Sequence, residues 1–149
     1  QPFIKDGQAA AALVQGGRSD KVTIPLEGTA WAIAILHAVN RQAFNGSMHE
    51  MGKEYKTTVP VRYVLEYADG STVELPVAFR RQINAWDDCY AAVEAWPVLF
   101  GTVGDTYQFN VPAMLWANPH PDRPLKSLQM ISGNRPGMNA AVFAATLIR

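Results

Sequence analysis

Alternation of hydrophobic and polar residues with a period of two is the dominant pattern in the chain. Residues 61–67 and 72–79 show this pattern most clearly, and the turn signal Asp69-Gly70 separates them. Because successive side chains of a β-strand point to opposite faces, the alternation predicts a β-hairpin. Pro76 has no amide hydrogen to offer a partner strand, so we expect it on an edge strand or at a bulge.

Five further segments carry patterns that are typical of strands: residues 21–26, 30–39, 111–117, 124–132 and 140–148. The second is rich in alanine, which also suits a helix. Its large residues keep the period of two, however, so we predict a strand that is buried on both faces. About seven or eight strands in one domain, residues 1–149, predict an all-β fold. We expect a two-sheet antiparallel β-sandwich of the jelly-roll type.

Two long segments, residues 40–58 and 80–110, interrupt the regular spacing of the strands. In the second, Asp87 and Asp88 could cap a short helix that ends at Pro97. Long loops in a compact domain usually carry function. We therefore expect the functional site in these segments.

The second long segment combines flat aromatic rings with side chains that form hydrogen bonds, and this combination suits a sugar. A pyranose has an apolar C–H face that stacks on indole and a rim of hydroxyl groups that pairs with polar side chains. We predict that Trp86 and Trp96 are the stacking platforms. We predict that Asn84, Asp87 and Arg81 form hydrogen bonds to the carbohydrate. The alternative is that Trp96 and Phe100 simply plug the open end of the sandwich.

A second wall of the site is predicted beside the proline-rich turn at residues 118–121. Trp116 precedes this turn, and His120 lies between its two prolines. Trp116 also fits an alternating core position, which is the favoured alternative, whereas His120 is expected to be exposed. His37 shares a face with large apolar residues, so we predict a buried histidine that is satisfied by the backbone.

The charge balance excludes two classes of partner. The chain has 13 basic and 13 acidic residues and a formal net charge of zero. It therefore lacks the electrostatic footprint of a non-specific nucleic-acid binder or of a protein that binds an anionic membrane. No apolar run approaches the length of a membrane span. A neutral domain suits an uncharged glycan better than a strongly anionic one, although Arg80-Arg81 leaves uronic acids open.

Catalytic motifs are absent from the sequence. There is no Gly-x-Ser-x-Gly, no phosphate-binding glycine loop and no metal-binding histidine spacing. The acidic residues of the second long segment have no distant carboxylate partner of the kind that a glycosidase needs. Cys89 is the single cysteine and is expected to be an inert packed thiol. We predict that the protein is not an enzyme and requires no cofactor.

Four segments follow one another along the chain: KVTIPL at 21–26, ILHA at 35–38, YVLEYADGSTVELP at 63–76 and WANPHP at 116–121. This order is similar to that of galactose-binding-like β-sandwich modules, which occur in large secreted bacterial carbohydrate-active enzymes. The likeness covers most of the chain. It implies a non-catalytic carbohydrate-binding module that is secreted and that keeps an attached catalytic domain near a plant or algal polysaccharide.

Some modules of this kind carry a structural calcium ion. Here Asp87, Asp88 and Asp105 could supply oxygen ligands. The chain begins at Gln1 without an initiator methionine or an apolar leader, so we expect a processed product or an excised domain. Two alternatives to glycan binding stay open. One is a structural accessory domain that packs on a neighbouring catalytic domain, and the other is a small jelly-roll hydrolase or lyase.

Overall fold

A computed structural model describes residues 4–5, 8–9, 11–18, 20–40, 58–87, 92–103, 107–133 and 135–149. The secondary-structure elements in these residues are all β-strands. In chain order they are β1 (Ile4–Lys5), β2 (Gln8–Ala9), β3 (Ala12–Val14), β4 (Lys21–Pro25), β5 (Ala32–Val39), β6 (Val61–Tyr67), β7 (Thr72–Val77), β8 (Trp96–Val103), β9 (Tyr107–Ala117), β10 (Leu125–Ser132) and β11 (Ala140–Ile148). None of the described residues forms a helix that could cross a membrane.

Two antiparallel sheets form a sandwich, which confirms the predicted fold class. One sheet has four strands in the order β4-β10-β6-β7, and the other has five in the order β3-β11-β5-β9-β8. Among the described residues, the short strands β1 and β2 pair only with each other. Neighbouring strands in both main sheets are antiparallel.

The predicted hairpin is confirmed as β6 and β7, which pair from Val61↔Val77 to Glu66↔Thr72. The turn between them contains Gly70, whose φ of 84° lies in the left-handed region that glycine tolerates best. Strand β7 is at the edge of its sheet, and this confirms the expectation from Pro76. The alanine-rich segment is strand β5, and none of its side chains is fully exposed.

The hydrophobic core lies between the two sheets. Tyr63 and Leu65 of β6 and Leu128 of β10 face Ile33 and Ile35 of β5 across it, and all five are fully buried. The alternation that was read from the sequence therefore separates core from surface positions in the four-stranded sheet. Strands β5, β9 and β11 are instead largely apolar on both sides.

Interpreting residues 80–110 as one long loop was wrong in part. Strand β8 and the start of β9 lie within that segment, and Pro97 is the second residue of β8. Of the predicted short helix, residues 88–91 lie outside the described residues, and residues 92–96 form a turn and the first residue of β8 instead of a helix. Strand β8 was missed because most of its side chains are exposed on both faces, so it lacks the alternation that marks a half-buried strand.

Candidate functional site

Residues 84–86 lie between two strands at one end of the five-stranded sheet. The amide of Val39 donates to the carbonyl oxygen of Asn84 at 3.0 Å, and the amide of Trp86 donates to the carbonyl oxygen of Val39 at 3.0 Å. On the other side, the amide of Asn110 donates to the carbonyl oxygen of Trp86 at 2.6 Å. This segment therefore extends the sheet between β5 and β9, and the backbone fixes the position of Trp86.

Trp86 and Trp96 both lie on the side of this sheet that faces away from the core. Ala85 belongs to the core, so the next side chain along the extended segment, Trp86, points the other way, and it is 42% exposed. Trp96 pairs in register with Ala113, the neighbour of the core residue Met114. Trp96 therefore also faces outward, and it is 49% exposed.

Apolar side chains cover the outer face of the five-stranded sheet, which we call the outer apolar face. Strand register and alternation place these residues on it: Leu13, Ala32, Ala34, Leu36, Ala38, Trp96, Leu99, Val111, Ala113, Leu115, Ala117, Ala141, Ala144, Thr146 and Ile148. Thr146 is the single polar residue of this set, and none of the set is charged. Leu13, Trp96, Leu99 and Leu115 are each between 45% and 63% exposed, whereas Ala32, Ala38, Val111 and Ala113 are buried. The exposed part of this face is typical of a binding surface.

Arg81 is held by an ion pair within its own loop. Its Nε donates to Oε1 of Glu94 at 2.5 Å, and the Gln82 side chain donates to Oε2 of the same carboxylate at 2.6 Å. The amide of Glu94 also donates to the carbonyl oxygen of Arg81 at 2.7 Å. These bonds join the tight loop after β7 to the segment before β8. They engage Nε of Arg81, whose guanidinium was predicted to contact a sugar and whose side chain is still 64% exposed.

Asn84 is buried and takes part in the same local structure. Its side-chain oxygen accepts a hydrogen bond from the amide of Ala85 at 3.0 Å, and its side chain is not exposed. Asp87 is half-buried beside Trp86. Asn110, which the sequence analysis did not single out, has a buried side-chain oxygen without a hydrogen bond from the described residues. Its position next to Trp86 follows from backbone pairing between distant segments, which no sequence signal predicts.

Asn118 and His120, which follow Trp116 in the chain, form a separate cluster that ties the two sheets together. Trp116 is 8% exposed and belongs to the core, in agreement with the core alternative. The Tyr67 hydroxyl donates to Oδ1 of Asn118 at 2.5 Å, and Nδ2 of Asn118 donates to the carbonyl oxygen of Ala30 at 2.7 Å. The exposed His120 packs edge-on against the Tyr67 ring. The turn is thus built around a buried asparagine.

This cluster and Trp86 lie at opposite ends of strand β5. The amide of Asn118 donates to the carbonyl oxygen of Trp31, just before β5, whereas residues 84–86 bind Val39, the last residue of β5. An eight-residue strand separates its ends by roughly 23 Å. The structure therefore does not bring His120 and Trp86 into one site. The second wall of the site, which was predicted beside residues 118–121, is therefore not next to Trp86.

His37 is the buried histidine that the sequence predicted. Its Nε2 donates to the carbonyl oxygen of Gln82 at 2.9 Å, and its Nδ1 accepts from the Tyr63 hydroxyl at 2.8 Å. Burial lowers the pKa of His37 to about 4, although the hydrogen bond to Gln82 acts in the opposite direction. Burial also raises the pKa of Tyr63. His37 is therefore neutral at pH 7, and it fixes the loop that carries Arg81.

The predicted calcium ligands are only partly described. Asp88 and Asp105 lie outside the described residues, and Asp87 is the single member of the set that can be placed. Within the described ranges no group of three or more histidine, cysteine, aspartate or glutamate residues has the arrangement of a metal site. Cys89 also lies outside these ranges.

Comparisons with protein-family models, with curated proteins and with solved structures find no match to this chain.

Proposed function

We propose that the protein is a non-catalytic carbohydrate-binding module of the galactose-binding-like type. The observation that carries this proposal is the pair of half-exposed indoles, Trp96 on the outer apolar face and Trp86 beside it on the same side of the sheet. An indole ring stacks on the apolar C–H face of a sugar, and this contact needs no hydrogen-bonding group from the protein. The glycan would lie across the outer apolar face between the two rings.

The geometry changes which groups support the glycan. Asn84 and Arg81 are engaged in local hydrogen bonds, and His120 is at the other end of the sandwich. The contact would therefore rest on stacking more than on hydrogen bonds. We propose a plant or algal polysaccharide with exposed apolar ring faces as the ligand. An attached catalytic domain and a secreted bacterial origin belong to the same proposal.

Affinity electrophoresis tests the proposal with a panel of β-glucans, xylans, mannans and pectins. We expect at least one polysaccharide to retard the protein. Trp86→Ala and Trp96→Ala should each weaken binding about tenfold, which corresponds to roughly 1.4 kcal/mol for a lost stacking contact. Trp31→Ala is the matched control because Trp31 is 51% exposed and lies before the first residue of β5, at the opposite end of that strand from Trp86.

Two results would contradict glycan binding at this face. The first is unaltered mobility of the wild-type protein on every polysaccharide. The second is an equal loss of binding in Trp31→Ala and in the two variants of the outer apolar face. Circular dichroism of each variant shows whether the fold is intact.

A second candidate is a structural accessory domain that packs on a neighbouring catalytic domain. The absence of charge across the outer apolar face favours it, because an antiparallel sheet face that is open to water normally carries polar residues. In that case Trp86→Ala should change the solubility of the isolated domain and leave polysaccharide mobility unaltered. Only the glycan-binding module predicts a tryptophan-dependent shift on a polysaccharide gel.

A further inference from the structure

A concave surface lies on the outer face of the four-stranded sheet. Lys21 of β4, Ile131 of β10, Arg62 of β6 and Pro76 of β7 are paired in register and form one row across the four-stranded sheet. They line a cleft of about 660 Å³ together with Arg18 from the turn before β4. This volume is within the range of small-molecule sites, which is roughly 300–1,000 Å³. We call this surface the basic cleft.

The basic cleft concentrates positive charge. Three of its lining residues, Arg18, Lys21 and Arg62, are cationic, and all three are exposed. Arg62 is 3.6 Å from a carboxylate oxygen of Glu74. No ion pair joins Arg18 or Lys21 to a carboxylate of the described residues. A neutral chain thus holds a local excess of positive charge, which would favour an anionic ligand.

Close backbone packing fixes the walls of the basic cleft. The amide of Gly133 donates to the carbonyl oxygen of Pro60 at 2.8 Å, and the amide of Gly17 donates to the carbonyl oxygen of Gly133 at 3.0 Å. A Cβ at residue 133 would collide with the carbonyl oxygen of Val59. Since the walls are already in place, a ligand would not have to order them, which lowers the cost of binding.

The lining limits the chemistry of the ligand. The cleft is larger than an inorganic ion needs, and Val59, Pro76 and Ile131 offer apolar contact between the cations. No aromatic residue is among the lining residues, so there is no platform on which a nucleobase could stack. A ligand with ionised groups at its rim and C–H groups on its face fits this surface. Acidic sugars have that composition.

We propose that the basic cleft binds an acidic oligosaccharide through Arg18, Lys21 and Arg62. The anionic groups are carboxylates or sulfates, and both pair with guanidinium and ammonium groups. The site is distinct from the outer apolar face and lies on the other sheet. That the ligand is a sugar rests on the proposed function, whereas the preference for an anion rests on the cleft alone.

Isothermal titration calorimetry of the full chain tests this proposal. The probes are an oligogalacturonate, a sulfated oligosaccharide and a neutral xylo-oligosaccharide of similar length, each at low and at moderate salt. We expect one acidic probe to bind, with an affinity that falls as salt rises. The better probe distinguishes carboxylate from sulfate recognition. Arg18→Gln and Lys21→Gln should each weaken that binding about fivefold, as expected for the loss of one exposed charge pair.

Lys126→Gln is the matched control, because it removes one exposed cation from the same sheet about 17 Å along β10 from Ile131. It should leave the binding of the acidic probe unchanged. The proposal is overturned if neither acidic probe binds, or if Lys126→Gln weakens binding as much as Lys21→Gln. Failure of the proposed function would give a different result. In that case no neutral glycan would bind in a way that Trp86→Ala weakens, whatever the acidic probes do.

Discussion

The two outer faces of the sandwich have opposite character. The outer apolar face of the five-stranded sheet carries leucines, alanines and a half-exposed tryptophan, with Trp86 beside it. The outer face of the four-stranded sheet carries Lys21, Arg62, Glu66 and Glu74. Both sheets bury their inner faces in one shared core. The two outer faces therefore differ in the chemistry that they offer to a partner.

The physical cost of each face in water supports this distinction. Exposed apolar surface costs about 25 cal/mol for each Å² that stays in contact with water, and a partner removes that cost. Exposed ion pairs such as Lys126 with Glu66 at 2.6 Å contribute little to stability but keep a face soluble. An apolar partner therefore suits one face, and an ionic partner suits the other. Each variant described next changes one region of the sandwich, and a second variant or the wild-type protein is its reference.

The largest effect is expected for Gly133→Ala, which should collapse the basic cleft. The added methyl group would lie 2.6 Å from the carbonyl carbon of Pro60, so the backbone must move. We expect a loss of about 3 kcal/mol in the free energy of unfolding. Gly70→Ala is the control. Its methyl group meets nothing within 4 Å, and only the left-handed backbone costs about 1 kcal/mol. Urea denaturation measures both, and equal losses would contradict this account.

Acid should weaken the contact between the two sheets through His37. The folded-state pKa is lowered to about 4 from 6.5, so the unfolded chain binds the proton more readily than the folded protein. The contribution of neutral His37 to the free energy of unfolding is therefore fully present above pH 6.5, and it is lost as the pH falls from 6.5 to 4. The expected loss is about 3 kcal/mol. Denaturation at a series of pH values measures it.

His37→Gln is the reference for that experiment. It should be less stable at pH 7 but should show a flatter pH dependence between 6.5 and 4. Glu66 and Asp69 have pKa values that are lowered by hydrogen bonds to neighbouring side chains, so their contribution is lost at lower pH and is common to both proteins. Parallel pH curves for the two proteins would show that His37 is not the sensitive group.

Asn118→Ala tests the end of the sandwich that lies away from Trp86. It removes the acceptor of the Tyr67 hydroxyl and the donor to Ala30, both of which are buried. We expect a loss of about 2 kcal/mol and no change in glycan binding. His120→Ala should change stability by less than about 0.5 kcal/mol, because the side chain is exposed. Weaker glycan binding in His120→Ala would instead support the predicted contact between His120 and the glycan.

The smallest effect on stability is expected for Leu115→Lys on the outer apolar face. Leu115 is 45% exposed, so the change in unfolding free energy should stay within about 0.5 kcal/mol. Binding of an apolar dye to the native protein should fall, since a charge then interrupts the face. Thr23→Lys, at an exposed position of the other sheet, should leave dye binding as it is. A similar decrease in both variants would mean that the dye binds elsewhere.

Much of the fold could be predicted from the sequence, and the successes share a cause. Strands such as β6 have one buried and one solvated face, and that asymmetry is written directly into their alternation. The double-sided apolar pattern of β5 likewise predicted a strand buried on both sides. Strand β8 escaped prediction because it lies at an edge, where neither face is uniformly buried.

The candidate site was less predictable. The sequence singled out Trp86 and Trp96 by their type, and the structure places both on one face. The sequence could not show that Arg81 forms an ion pair with Glu94, because that pair depends on how two loops meet. Nor could it show that His120 and Trp86 lie at opposite ends of β5. Hydrogen-bonding capacity is a property of a residue, but its availability depends on neighbours.

The sequence by itself determined the all-β class, the hairpin and the pattern of core positions, because these follow from local periodicity. Only the tertiary structure decided which polar groups stay available and where charge accumulates. Arg18, Lys21 and Arg62 are scattered in a chain of zero net charge, and strand pairing brings them to one cleft. Pairing joins residues that are distant in sequence, so local patterns carry no record of it.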